Sequence, residues 1–117
     1  MNKVILIGRL TKDPELRYTA GQMAVATFTL AVDRIKKSEE KSADFLRVVT
    51  FGKTAENIER YQHKGALVGV EGSITSRSYE KDGATVYVTE IIADRVEFLG
   101  GAKEPTPAPA NFDDLPF

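Results

Sequence analysis

Ala43-Asp44-Phe45-Leu46-Arg47-Val48-Val49-Thr50-Phe51-Gly52-Lys53-Thr54 is the stretch on which the fold turns. Its first nine residues are rich in β-branched and aromatic side chains, the composition of a strand. Thr54 then reads as the cap of a helix reaching Lys64, with Ala55, Ile58 and Tyr61 on one stripe and Gly65 as its stop. A strand therefore passes into the chain's one helical segment almost without a loop.

Upstream, residues 2–10 read as a buried strand closed by the turn signal Lys12-Asp13-Pro14. Gly8 within it points to a bulge or a close backbone approach. Residues 23–32 form a second strand, apolar at Ala24, Ala26, Phe28, Leu30 and Val32, with Thr27 and Thr29 on the other face. Residues 34–42 are a charged loop or hairpin tip. Downstream, residues 66–79 form a long fourth strand in which Gly69 and Gly72 permit strong bending. Lys81-Asp82-Gly83 is a hairpin turn, and residues 85–99 are a fifth strand with an interruption expected near Ala93-Asp94. The order is three strands, one helix, two strands, with short connections throughout. This is the layout of the OB-fold, an all-β, five-stranded Greek-key barrel with one helix between strands 3 and 4. A folded domain is expected over residues 1–100, a flexible linker over 101–111 and an acidic tip over 112–117.

The 117 residues suffice for one small domain and a tail. A core of this size is modest, which favours oligomerisation. The absence of cysteine excludes disulfides and thiolate metal sites and fits a reducing, cytoplasmic setting. The apolar run Val4-Ile5-Leu6-Ile7 is too short to span a membrane. Net charge is −1, but residues 1–103 carry a surplus of two positive charges. Residues 104–117 hold Glu104, Asp113 and Asp114 and no basic residue. The pattern suggests a mildly basic body with an acidic tail. Four of the five prolines fall between Lys103 and Pro116, so no core is expected there and the tail should be disordered. Its end, Phe112-Asp113-Asp114-Leu115-Pro116-Phe117, joins carboxylates to apolar rings, a composition suited to capture by a partner protein.

Alternate residues of a strand share a face. Phe45, Arg47, Val49 and Phe51 therefore share one side of the third strand, while Leu46, Val48 and Thr50 share the side that fills the barrel. Two rings around an arginine are unusual on a solvent face. Thr75, Arg77 and Tyr79 repeat the arrangement on the fourth strand. Packing beneath a loop or at a subunit interface would account for Phe45 and Phe51 alone. With Tyr79 added, stacking of unpaired bases becomes the better account, at about 1–3 kcal/mol per base. Arg47, Arg77, Lys53, Lys3, Arg17 and Arg34 are candidate phosphate contacts, and Arg9, Lys36, Lys37 and Lys64 are weaker ones. No P-loop, HExxH, Gly-x-Ser-x-Gly or Cys/His ligand set is present, and neither catalysis, a metal nor a cofactor is expected.

Several runs together resemble the bacterial single-stranded DNA-binding protein family. They are residues 2–10, Asp13-Pro14-Glu15-Leu16-Arg17-Tyr18, Phe28-Thr29-Leu30-Ala31, Arg47-Val48-Val49-Thr50-Phe51-Gly52-Lys53 and Asp113-Asp114-Leu115-Pro116-Phe117. The likeness covers nearly the whole chain and is closest to Gram-positive members. It implies a homotetramer with single-stranded DNA wrapped over its outside, used in replication, recombination and repair in the cytoplasm, at the nucleoid. It also implies stacking roles for Phe45, Phe51 and Tyr79, and a tip that docks on replication, recombination and repair proteins. Three departures stand out. Arg34, Ile35, Lys36 and Lys37 occupy a region where many relatives carry a further stacking ring. Leu46 replaces a histidine tied to the subunit interface in some relatives. The linker is short, with a root-mean-square span of roughly 20 Å, which favours a short paralogue or a phage-encoded form. The rival reading is an OB-fold interaction module such as a primosome accessory protein, against which the acidic tip argues.

Overall fold

The computed structural model describes residues 1–34 and 42–100. The strands are β1 (Val4–Leu10), β2 (Glu15–Tyr18), β3 (Ala24–Asp33), β4 (Ala43–Phe51), β5 (Leu67–Lys81) and β6 (Ala84–Gly100), with helix α1 (Gly52–Tyr61) between β4 and β5. They form one sheet in the order β1-β5-β6-β4-β3-β2, and β1 pairs again with β3. That second pairing closes β1, β5, β6, β4 and β3 into the expected five-stranded barrel. The strand β2 is an addition: it pairs only with β3, from Glu15↔Thr27 to Tyr18↔Ala24. Its one inward apolar residue is Leu16, packed on Ala24, Ala26 and Ala55. Four residues are too short a run for their alternation to stand out beside the preceding turn signal, so this strand was not legible in the sequence.

The core lies inside the barrel. Leu10, Phe28, Leu30, Val48, Ile58, Val68, Val70 and Ile91 form its main cluster, with Leu46 and Val96 packed against it. Thr50 faces inward beside them, fully buried, and donates its hydroxyl to the Ala26 carbonyl at 3.0 Å. The division of the strand carrying Phe45 into an inner and an outer side is thus as its alternation required.

Closing so small a barrel forces backbones together. A Cβ on Gly8 would lie 2.3 Å from the Ala31 carbonyl oxygen, where β1 crosses onto β3. A Cβ on Gly72 would lie 2.0 Å from the Ile92 carbonyl oxygen. Gly72 pairs with Ala93 and Glu71 with Arg95, which leaves Asp94 as the extra residue of a β-bulge. The interruption expected near Ala93-Asp94 is this bulge. The β5–β6 turn is Asp82-Gly83, both at positive φ, between the paired Lys81 and Ala84.

The helix departs from its sequence reading at both ends. It begins at Gly52 (φ +64), follows an extended Phe51, and has no side-chain cap. Thr54 therefore lies inside the helix and is not its cap. The left-handed glycine makes the sharp turn out of β4, so the helix starts earlier than a cap-based reading allows. The helix stops at Tyr61, three residues before Lys64. Gln62 is fully buried, whereas Tyr61 is 41% exposed. The buried stripe is Ala55, Ile58 and Gln62, and the backbone N–H of Gln62 still donates to the Ile58 carbonyl at 2.9 Å.

Candidate functional site

Strand pairing assembles one continuous outer wall. Across β2, β3 and β4, Arg17 faces Val25 and Val25 faces Phe51. Two pairs further along, Thr29 faces Arg47, Arg47 faces Glu90 of β6, and Glu90 faces Thr75 of β5. Another step brings Ala31 opposite Phe45. On β5, Arg77 and Tyr79 follow Thr75 at alternate positions and share its face. Arg17, Phe45, Arg47, Phe51, Arg77 and Tyr79 therefore belong to a single surface.

The three rings are open to solvent on that wall: Phe45 is 67% exposed, Phe51 43% and Tyr79 45%. Burial inside the barrel is ruled out for all three. Phe45 and Phe51 stand six residues apart on one strand, about 20 Å, so they would meet different bases. Val49, between them, is buried and forms the floor. A cleft of about 260 Å³ opens on this floor, lined by Arg17, Val25, Thr27, Arg47, Val49, Arg77 and Glu90.

Glu90 organises the charge at the centre. Arg77 Nε donates to its Oε1 at 2.9 Å, and Arg47 Nε pairs with its Oε2 at 2.7 Å. The hydrogen bond from Arg77 holds the carboxyl below the usual glutamate range; Arg47 acts in the same direction and burial opposes both. The same bond to Glu90 raises Arg77, and two guanidiniums on one carboxylate give the triad one net positive charge.

The other basic candidates are more scattered. Arg17 is exposed and 3.7 Å from Glu15. Arg34 brings Nε and Nη2 to Asp44 Oδ1 at 2.8 and 2.6 Å, so its charge is matched locally. Lys53 is exposed in the first turn of α1. Lys3 does not join the wall's centre. It pairs with Glu71 at 3.5 Å, and Glu71 precedes Arg77 on β5 by about 20 Å of strand. The tip residues Phe112, Asp113, Asp114, Leu115, Pro116 and Phe117, with Ile35, Lys36 and Lys37, lie outside the described residues.

Two features escaped the sequence reading. Tyr87, 74% exposed, faces Ser78 and so lies on the opposite side of the β5–β6 hairpin from Tyr79. Glu90 is the other. Its signal was present: Val86, Val88 and Ile92 occupy the same face of β6, and one carboxylate in an apolar row calls for a cation.

Among the described residues no group of three or more His, Asp or Glu could hold a metal ion, and no helix is long and apolar enough to cross a membrane. The model of the single-strand binding protein family matches residues 1–99. A Clostridium acetobutylicum protein named single-stranded DNA-binding protein 3 is 59% identical over 85% of this chain and 71% of its own length. A Clostridium tetani single-stranded DNA-binding protein is 50% identical over 98% of this chain and 81% of its own. Among solved structures, the Plasmodium falciparum SSB complex with ssDNA superposes with a TM-score of 0.79 at 30% identity, covering 86% of this chain and 96% of that one. With the barrel, its outward rings and a family match across the whole folded body, the chain belongs to the single-strand binding protein family.

Proposed function

We propose that this protein binds single-stranded DNA with little sequence preference. Bases stack on Phe45, Phe51 and Tyr79, and phosphates are met by Arg47, Arg77, Arg17 and Lys53, with Arg34 and Lys3 as outlying contacts. The observation that carries this reading is the row of exposed rings interleaved with guanidiniums on one wall of the barrel. Every base offers a face for stacking, so such a wall takes single strands of any sequence; in a duplex those faces are covered. The likeness to a barrel solved with ssDNA supports it.

The finer reading is that the protein protects exposed strands in DNA replication, recombination and repair at the cytoplasmic nucleoid. Residues 112–117 recruit the proteins that act there. The Clostridium tetani relative supports this in so far as its likeness extends through the tail. We infer a homotetramer, supported by the apolar outer side of β1. Ile5 and Ile7 are 73% and 55% exposed there and line a cleft of about 280 Å³ with Leu99 and Gly69. A second copy would cover these side chains.

The test is a titration followed by tyrosine fluorescence, which no tryptophan obscures. Oligo-dT is expected to quench, and duplex of equal length to leave the signal unchanged. Equal binding of both would refute the proposal, and binding of oligo-dT without quenching would favour an interaction module.

A further inference from the structure

The wall presents its two central arginines in an unusual way. Their shared partner, the Glu90 side chain, is only 7% exposed, whereas Arg47 and Arg77 are 51% and 57% exposed. Glu90 sits between β4 and β5 in the sheet, so one carboxylate is reached from both sides, one oxygen to each arginine. In both cases the atom turned toward it is Nε. A guanidinium has five N–H donors, four of them on the Nη atoms. Holding each fork at Nε leaves the Nη donors of two half-exposed side chains to serve the cleft that Arg47 and Arg77 line with Arg17.

We propose that Glu90 is a positioning residue of the DNA-contact wall, a buried strut that holds Arg47 and Arg77 side by side so that their outer nitrogens meet backbone phosphates without prior ordering. This rests on reading the wall as the surface that takes single-stranded DNA. A long side chain fixed before binding loses less freedom on binding. The strut therefore favours affinity even though it places a negative charge beneath a surface that meets phosphate. Simple charge counting gives the opposite sign, since removing an acid from a DNA-contacting wall should tighten the complex.

That difference in sign is the test. Oligo-dT affinity is measured for the full chain, for Glu90→Gln, for Arg47→Ala/Arg77→Ala, and for the triple variant, with melting followed in parallel. Glu90→Gln is expected to bind about tenfold more weakly than wild type, the ordering cost of two long side chains. In the background without both arginines it should change nothing, which a general loss of packing would not reproduce. Glu90→Asp, which keeps the charge and withdraws it by one methylene, should also weaken binding; it serves if the glutamine variant does not fold. Unchanged or tighter binding by a folded Glu90 variant overturns the strut while leaving the DNA-contact reading intact. So does an equal loss with and without the arginines. Failure of the wild type to bind oligo-dT overturns the reading of the wall, and the strut with it.

Discussion

Phe45 and Phe51 bracket Arg47 on β4, and the physical question at each is whether its ring is better covered by protein or by a base. Both are exposed and stand on a strand whose inner face already fills the core, so neither ring belongs to the core cluster. Replacing Phe45, Phe51 or Tyr79 singly by Ala should therefore leave the melting temperature of the isolated fold nearly unchanged. Each should reduce oligo-dT affinity by about 1–3 kcal/mol, and by less than the sum when combined. Titrations of the single and triple variants, paired with thermal melts, check this. Large destabilisation with intact affinity would assign the rings to packing. The rings and Arg47 were legible because strand alternation dictates which residues share a face. Glu90's need for a cation had a signal in its apolar row, but its two partners had none, because they depend on strands β4 and β5 meeting it from either side.

At the scale of elements, helix α1 shows what periodicity leaves open. A stripe through Ala55, Ile58 and either Tyr61 or Gln62 satisfies the spacing of one face. An apolar ring is the natural choice, yet the polar amide is the buried one. Tyr61 instead tilts against Phe98 near the end of β6, with the ring centroids 6.5 Å apart, and Arg60 lies over its ring. Both polar side-chain atoms of Gln62 are buried with no hydrogen-bond partner among the described residues. A buried amide left unpaired costs about 1–3 kcal/mol, and leucine has a similar volume. Gln62→Leu is expected to stabilise the fold by about 1 kcal/mol, read as a rise in urea midpoint at unchanged slope. A fall would show that the amide has a partner, such as a trapped water. The missed strand β2 belongs to the same scale: a four-residue run is too short for its alternation to be told from chance.

For the whole molecule, charge is the governing quantity. The mildly basic body has few unmatched cations near the proposed contact wall, since Arg47 and Arg77 share Glu90 on it and the outlying Arg34 faces Asp44. Residues 104–117 carry three acidic side chains and no basic one, so on the proposed function they are expected to compete with DNA for the same cations. Deleting residues 113–117 should raise oligo-dT affinity, most at low salt, and the gain should shrink as screening shortens the reach of charge to about 8 Å. Affinities measured across a salt series for both forms check this, and identical curves would remove the competition.

The sequence by itself determined the number and order of the barrel strands, the place of the helix, the hairpin turn and the outward set of rings. Each depends on neighbours in the chain, through the two-residue period of a strand or the backbone freedom of glycine and aspartate in turns. Tertiary structure alone decided where the charges balance. Lys3 is drawn to Glu71 and away from the centre of the wall, and Arg47 and Arg77, thirty residues apart in the chain, converge on Glu90. Ion pairing acts through space over a few ångströms, and only sheet closure brings such partners within that distance.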